Sequence, residues 1–81
     1  MEIKKVIFEC LERITGITEE EFMDDPDFDL YENAVLDSLA VIAFLGEIEE
    51  ETKKKLSINE FRVTDFKTVN AIIKAIEEKL S

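Results

Sequence analysis

Ile3, Ile7, Cys10, Leu11 and Ile14 recur at steps of three and four residues, the spacing of one apolar face of an amphipathic helix. Gly16 follows where a helix ends in a left-handed turn. Thr18-Glu19-Glu20-Glu21 then reads as a capping box, so a short helical turn is expected before Pro26. From Asp24 to Val35 the pattern is that of a long loop. Phe28, Leu30 and Tyr31 are expected to pin it to the core, with Asp24, Asp25, Asp27, Asp29 and Glu32 in water. A second main helix is expected from about Ser38 to Thr52, with Leu39, Ile42, Leu45 and Ile48 inward. Lys53, Lys54 and Lys55 stand at its C-terminal end, where cations suit the helix dipole. Leu56 and Ile58 form a short irregular connection. Asn59 to Phe66 should hold one helical turn anchored by Phe61, Val63 and Phe66. Thr68 caps a last helix striped by Val69, Ile72, Ile73, Ile76 and Leu80. The expectation is an all-α fold, a small three-to-four-helix bundle with a long loop between its first and second main helices. Residues 1–81 are expected to form one domain.

Size restricts what such a bundle does. A chain of this length buries roughly 60–65% of the surface its unfolded form exposes, which leaves no room for a deep active-site cleft. No apolar run approaches the ~20 residues of a membrane span, and Met1-Glu2-Ile3-Lys4-Lys5 lacks the pattern of a signal peptide. No transmembrane segment and a cytoplasmic location are therefore expected, with the chain acting as a monomer. The single cysteine excludes an internal disulfide framework, and Cys10 on the helical stripe reads as a small buried hydrophobe.

Charge is distributed unevenly. The net charge is −10, and between Arg13 and Lys53 there are thirteen acidic residues and no basic one. A nucleic-acid binder needs a basic footprint, so nucleic acid is excluded as a partner class. Proteins with basic docking patches, steered by complementary fields, fit better.

Catalytic equipment is scarce. With no histidine, Ser-His and Cys-His pairs and His-based zinc sites are impossible. Gly16 and Gly46 are the only glycines, so there is no glycine-rich phosphate loop. Asp25, Asp27 and Asp29 have the spacing of the first three EF-hand ligands. However, Leu30 stands where that loop needs glycine, and Leu36 where it needs a bidentate glutamate.

One hydroxyl stands apart. In Leu36-Asp37-Ser38-Leu39 an acidic loop gives way to the apolar run Ala40-Val41-Ile42-Ala43-Phe44-Leu45. Ser38 falls at or beside the first position of that helix. There it either caps free backbone N–H groups or carries an anionic group in the field of the helix N-terminus.

This Asp-Ser-Leu step resembles the attachment site of acyl and peptidyl carrier proteins. The resemblance implies an acyl-carrier-type bundle with 4′-phosphopantetheine on Ser38, a thioester-bound acyl or aminoacyl cargo, and no catalysis by the chain itself. It also implies a phosphopantetheinyl transferase as partner, with an adenylating ligase or acyltransferase whose basic patch meets Asp37, Leu39, Glu47 and Glu50. The run from Asp27 to Ser38 is closer to D-alanyl carrier proteins, the cell-wall branch, than to fatty-acid carriers. Ile58-Asn59-Glu60-Phe61 and the Phe66-Lys67-Thr68 entry to the last helix are similar to that branch as well.

The chain departs from the carrier pattern at four places. Ala34 replaces a common glycine, Ala40 a common acid and Ala43 an outward glutamate, and Gly46 stands where a hydrophobic docking residue is usual. Gly46 marks either a close helix–helix contact or a place where a partner approaches the backbone. Fatty-acid or polyketide synthesis is the alternative setting. An unmodified acidic interaction module and a metal buffer built on Asp24–Asp29 are the alternatives from other classes.

Overall fold

The structure, a computed structural model, describes residues 2–80. Its order is α1 (Ile3–Thr15), α2 (Glu19–Asp24), α3 (Ser38–Thr52), the 3₁₀ turns Ile58–Glu60 and Val63–Phe66, and α4 (Val69–Leu80). The all-α bundle and the long loop between the first two main helices are as the periodicity predicts. The Cα radius of gyration is 11.4 Å, close to the roughly 12 Å of a compact chain of this length. The long loop therefore lies against the bundle.

Local chemistry sets each boundary. Gly16 ends α1 at φ 76°, its N–H on the Glu12 carbonyl at 2.8 Å. The Thr18 hydroxyl accepts from Glu21 N at 3.3 Å while the Glu21 carboxylate accepts from Thr18 N at 3.0 Å, closing the capping box that starts α2. Lys53 ends α3 in the left-handed conformation at φ 61°. The Ala71 amide donates to Thr68 Oγ1 at 3.1 Å at the head of α4.

The core joins α1, α3 and α4 through Ile7, Leu11, Val41, Phe44, Ile48, Phe66, Ile72 and Ile76, all buried. Cys10 is buried among them and its thiol is free. Burial pushes that thiol from its ordinary 9.0 up to about 11, Arg13 opposing in part. Outside the core, Arg13 clasps α1 to α3, donating to Glu47 at 2.7 Å and Glu51 at 3.2 Å.

The structure corrects several inward assignments. On α3 the buried face is Val41, Phe44, Leu45 and Ile48, whereas Leu39 is 80% exposed and Ile42 53%. The stretch from Leu39 to Leu45 is apolar on all sides, so periodicity does not select its inner face. Phe28 and Val63 are exposed rather than core anchors. Two 3₁₀ turns occupy the region expected to hold one. Lys54 also reaches a different helix end, donating to the Leu80 carbonyl of α4 at 3.2 Å.

Candidate functional site

The long loop delivers Ser38 to one end of the bundle, and Leu30 anchors that loop. Leu30 is buried, donates its N–H to the Lys67 carbonyl at 2.7 Å, and accepts from Val35 N at 2.8 Å and Leu36 N at 3.0 Å. Leu36 is buried beside it. Between them Asp29 Oδ1 accepts from Glu32 N at 2.8 Å, forming a turn that ends with Ala34 at φ 60°. With Leu36 fixed inward, the extended Asp37 that follows sets the start of α3.

Asp37, not Ser38, is the N-cap: its Oδ1 accepts from Ala40 N at 2.8 Å. Ser38 is the first helical residue, exposed, with no hydrogen bond to its hydroxyl among the described residues. The division of labour is physical. The carboxylate satisfies the helix terminus and leaves the serine oxygen for other use.

Ser38 opens on a small cavity of about 140 Å³ lined by Ile42, Ile58, Phe61 and Val63, with Tyr31 and Arg62 at its polar margin. Tyr31 is half-buried, and burial first, then the Asp37 charge, raises its phenol above the usual value. Beneath the cavity Phe66 is fully buried, its ring 5.3 Å from that of the half-buried Phe61.

The other acids and the outer face of α3 have different surroundings. Leu39, Ala43, Gly46 and Glu50 are exposed and fall on one face at steps of four, three and four residues. A Cβ built on Gly46 meets nothing within 4 Å, which removes close helix packing as its reason. Glu47 is half-buried and held by Arg13. The periodicity argument missed the exposure of Leu39 and Ile42, and with it the apolar rim around Ser38. Among the described residues no group of acids, histidines or cysteines could hold a metal ion. No helix of the described residues is long and apolar enough to cross a membrane.

A hydroxyl that is exposed, outside the capping network and placed above an apolar hollow suits covalent attachment of a phosphate-linked arm. Residues 5–76 match the phosphopantetheine attachment site family. The chain belongs to that family. As a member it is a carrier whose cofactor is 4′-phosphopantetheine, the group that holds an acyl or aminoacyl cargo. Carriers of this family work with ligases and transferases. The chain is 35% identical over 77 residues, 95% of each chain, to the D-alanyl carrier protein of Lactococcus lactis subsp. cremoris (strain MG1363). It is 33% identical over 78 residues to that of Streptococcus pyogenes serotype M5, covering 96% of this chain and 95% of the relative. The D-alanyl carrier protein of Leuconostoc mesenteroides subsp. mesenteroides is 31% identical over 77 residues, 95% of each chain.

Proposed function

We propose that Ser38 is the attachment residue and that residues 1–81 work as one carrier domain, cytoplasmic and monomeric, which performs no catalysis itself. The observation that carries the assignment is the Ser38 hydroxyl at the first turn of α3, without a hydrogen bond among the described residues, with its neighbour Asp37 doing the capping. When bound, the arm supplies a terminal thiol that holds the cargo as a thioester. This chain's own residues orient and present it. Leu30 and Leu36 fix the loop, Asp37 fixes the helix start, and Leu39 offers an apolar contact beside the hydroxyl.

A phosphopantetheinyl transferase and a loading enzyme with a basic patch would dock here. Asp37 and Glu50 are exposed acids, and charge complementarity of this kind raises association rates. Glu47 belongs to the same surface, but Arg13 already offsets its charge, so its contribution is smaller.

The cargo best supported is D-alanine, delivered by an adenylating ligase. Three D-alanyl carrier relatives match over nearly the whole chain. The interior is consistent with a small polar cargo, because Phe44 and Phe66 are fully buried and the hollow beside Ser38 holds only about 140 Å³. The deciding assay is thioester formation on the arm-bearing protein with a D-alanine ligase, run beside a malonyl transferase. Aminoacylation without malonylation is expected. Malonylation alone would place the chain in fatty-acid or polyketide synthesis.

A further inference from the structure

A phosphodiester on Ser38 would be a fixed negative charge placed against an acid. The adjacent Asp37 carboxylate occupies the Ala40 amide, so the end of α3 that would otherwise stabilise an anion already has one. From residue 14 to residue 52 the sequence offers no cation. The cavity that Ser38 opens on supplies one from elsewhere: Arg62 is its only basic lining residue. The Arg62 backbone is held, its N–H on Asp65 Oδ2 at 2.8 Å at the start of the second 3₁₀ turn. Its side chain is exposed, and its guanidinium has no carboxylate partner among the described residues. Arg13, by contrast, is committed to Glu47 and Glu51, and Lys79 lies over Phe61 near Glu60. A planar guanidinium facing a phosphate forms paired charge-assisted hydrogen bonds, which a point-charge ammonium does not reproduce. Apart from Tyr31 and Ser38, the rest of the lining is apolar, contributed by Ile42, Ile58, Phe61, Val63 and Phe66.

Resting on the assignment of the arm to Ser38, we propose that Arg62 is the counter-charge for the arm's phosphodiester. The apolar hollow beside Arg62 receives the branched aliphatic segment next to that phosphate. The hollow is too small for the whole arm, so the thiol end stays outside it and free to reach a partner. Arg62 is therefore a positioning residue: it selects one resting direction for the arm, toward the 3₁₀ turns and away from the exposed face of Leu39, Gly46 and Glu50. Because the pair is exposed, it is sensitive to salt.

The test compares apo and arm-bearing forms of wild type, Arg62→Gln and Arg62→Lys by NMR, after intact mass has confirmed arm addition in each. In wild type, adding the arm should shift the Arg62 side-chain N–H and the Ile58 and Val63 signals. It should also slow the motion of the arm's methyl groups. Both effects should vanish in Arg62→Gln, persist weakly in Arg62→Lys, and fade in wild type near 1 M salt, where the Debye length is about 3 Å. Shifts confined to residues 36–40 in wild type, or an arm equally ordered in Arg62→Gln, would overturn the role of Arg62 while leaving the Ser38 assignment intact. Absence of added mass in wild type would overturn that assignment and this proposal with it.

Discussion

The Asp37 carboxylate closes the first turn of α3 on the Ala40 amide at 2.8 Å, and the Ser38 hydroxyl between them takes no part in that bond. Capping thus falls to Asp37, and the attachment we propose falls to the residue beside it. Removal of the cap should cost about 1 kcal/mol, within the 0.5–2 kcal/mol typical of such losses. Asp37→Ala should melt earlier by that amount, while Asp37→Asn, which keeps an oxygen acceptor, should melt near wild type. Thermal and denaturant unfolding check this, and Asp37→Asn then reports on the charge alone in loading assays.

Two positions, one on the approach to α3 and one inside it, call for opposite substitutions. Ala34 sits at φ 60°, a left-handed conformation that costs a residue with a Cβ roughly 1–2 kcal/mol. Part of the gain from glycine is offset by unfolded-chain entropy of about 0.4–1 kcal/mol. Ala34→Gly should therefore be stabilising by several tenths of a kcal/mol or more. Gly46 lies inside α3 with open space around it, so Gly46→Ala should gain ~1 kcal/mol from helix propensity. That corresponds to a Tm rise of roughly 4–8 °C for a domain of this size. Equal or lower melting temperatures would contradict these assignments.

Much of this arrangement was readable from residue order. Gly16, the Thr18–Glu21 box and Thr68 each carry their structural role in their own side chain or lack of one, and they stand where expected. The bounds of α3 were readable too, since an acidic loop meets an apolar run at Ser38. The inner face of α3 was not, because Leu39 and Ile42 differ from Val41 and Leu45 only in what happens to pack on them. Residue order left Ser38 either a cap or a carrier of an anionic group, and only geometry shows that Asp37 does the capping. Long-range partners were also hidden: nothing local links Arg13 to Glu47, or Arg62 to the hollow beside Ser38.

Cys10 gives the protein a pH dependence at the alkaline end. The folded state holds the thiol proton more tightly, with its pKa raised from 9.0 to about 11 by burial. Its stabilising contribution is therefore complete below about pH 9 and is lost as the pH rises toward 11. Urea unfolding from pH 8 to pH 11 should show wild type losing stability more steeply than Cys10→Ala, whatever their difference at neutral pH. Parallel curves would contradict the buried-thiol account.

Charge reversal should separate docking from structure on α3. Glu50 is exposed with no ion pair among the described residues, so Glu50→Lys should slow loading at low salt and leave melting within about 0.5 kcal/mol of wild type. Glu47→Lys also removes the shorter of Arg13's two contacts to α3 and places two cations together, so it should lower stability as well as loading. Loading rates of wild type should fall as salt rises. Rates independent of salt would contradict electrostatic docking.

Intact-mass measurement of phosphopantetheine transfer tests the central assignment most directly. Wild type incubated with a broad-specificity phosphopantetheinyl transferase and coenzyme A should gain the mass of one arm, located by fragmentation to the peptide containing Ser38. Ser38→Ala, folded and melting near wild type because the Ser38 hydroxyl bonds nothing among the described residues, should gain none. Arm addition that persists in Ser38→Ala, or its absence from wild type, would contradict the account.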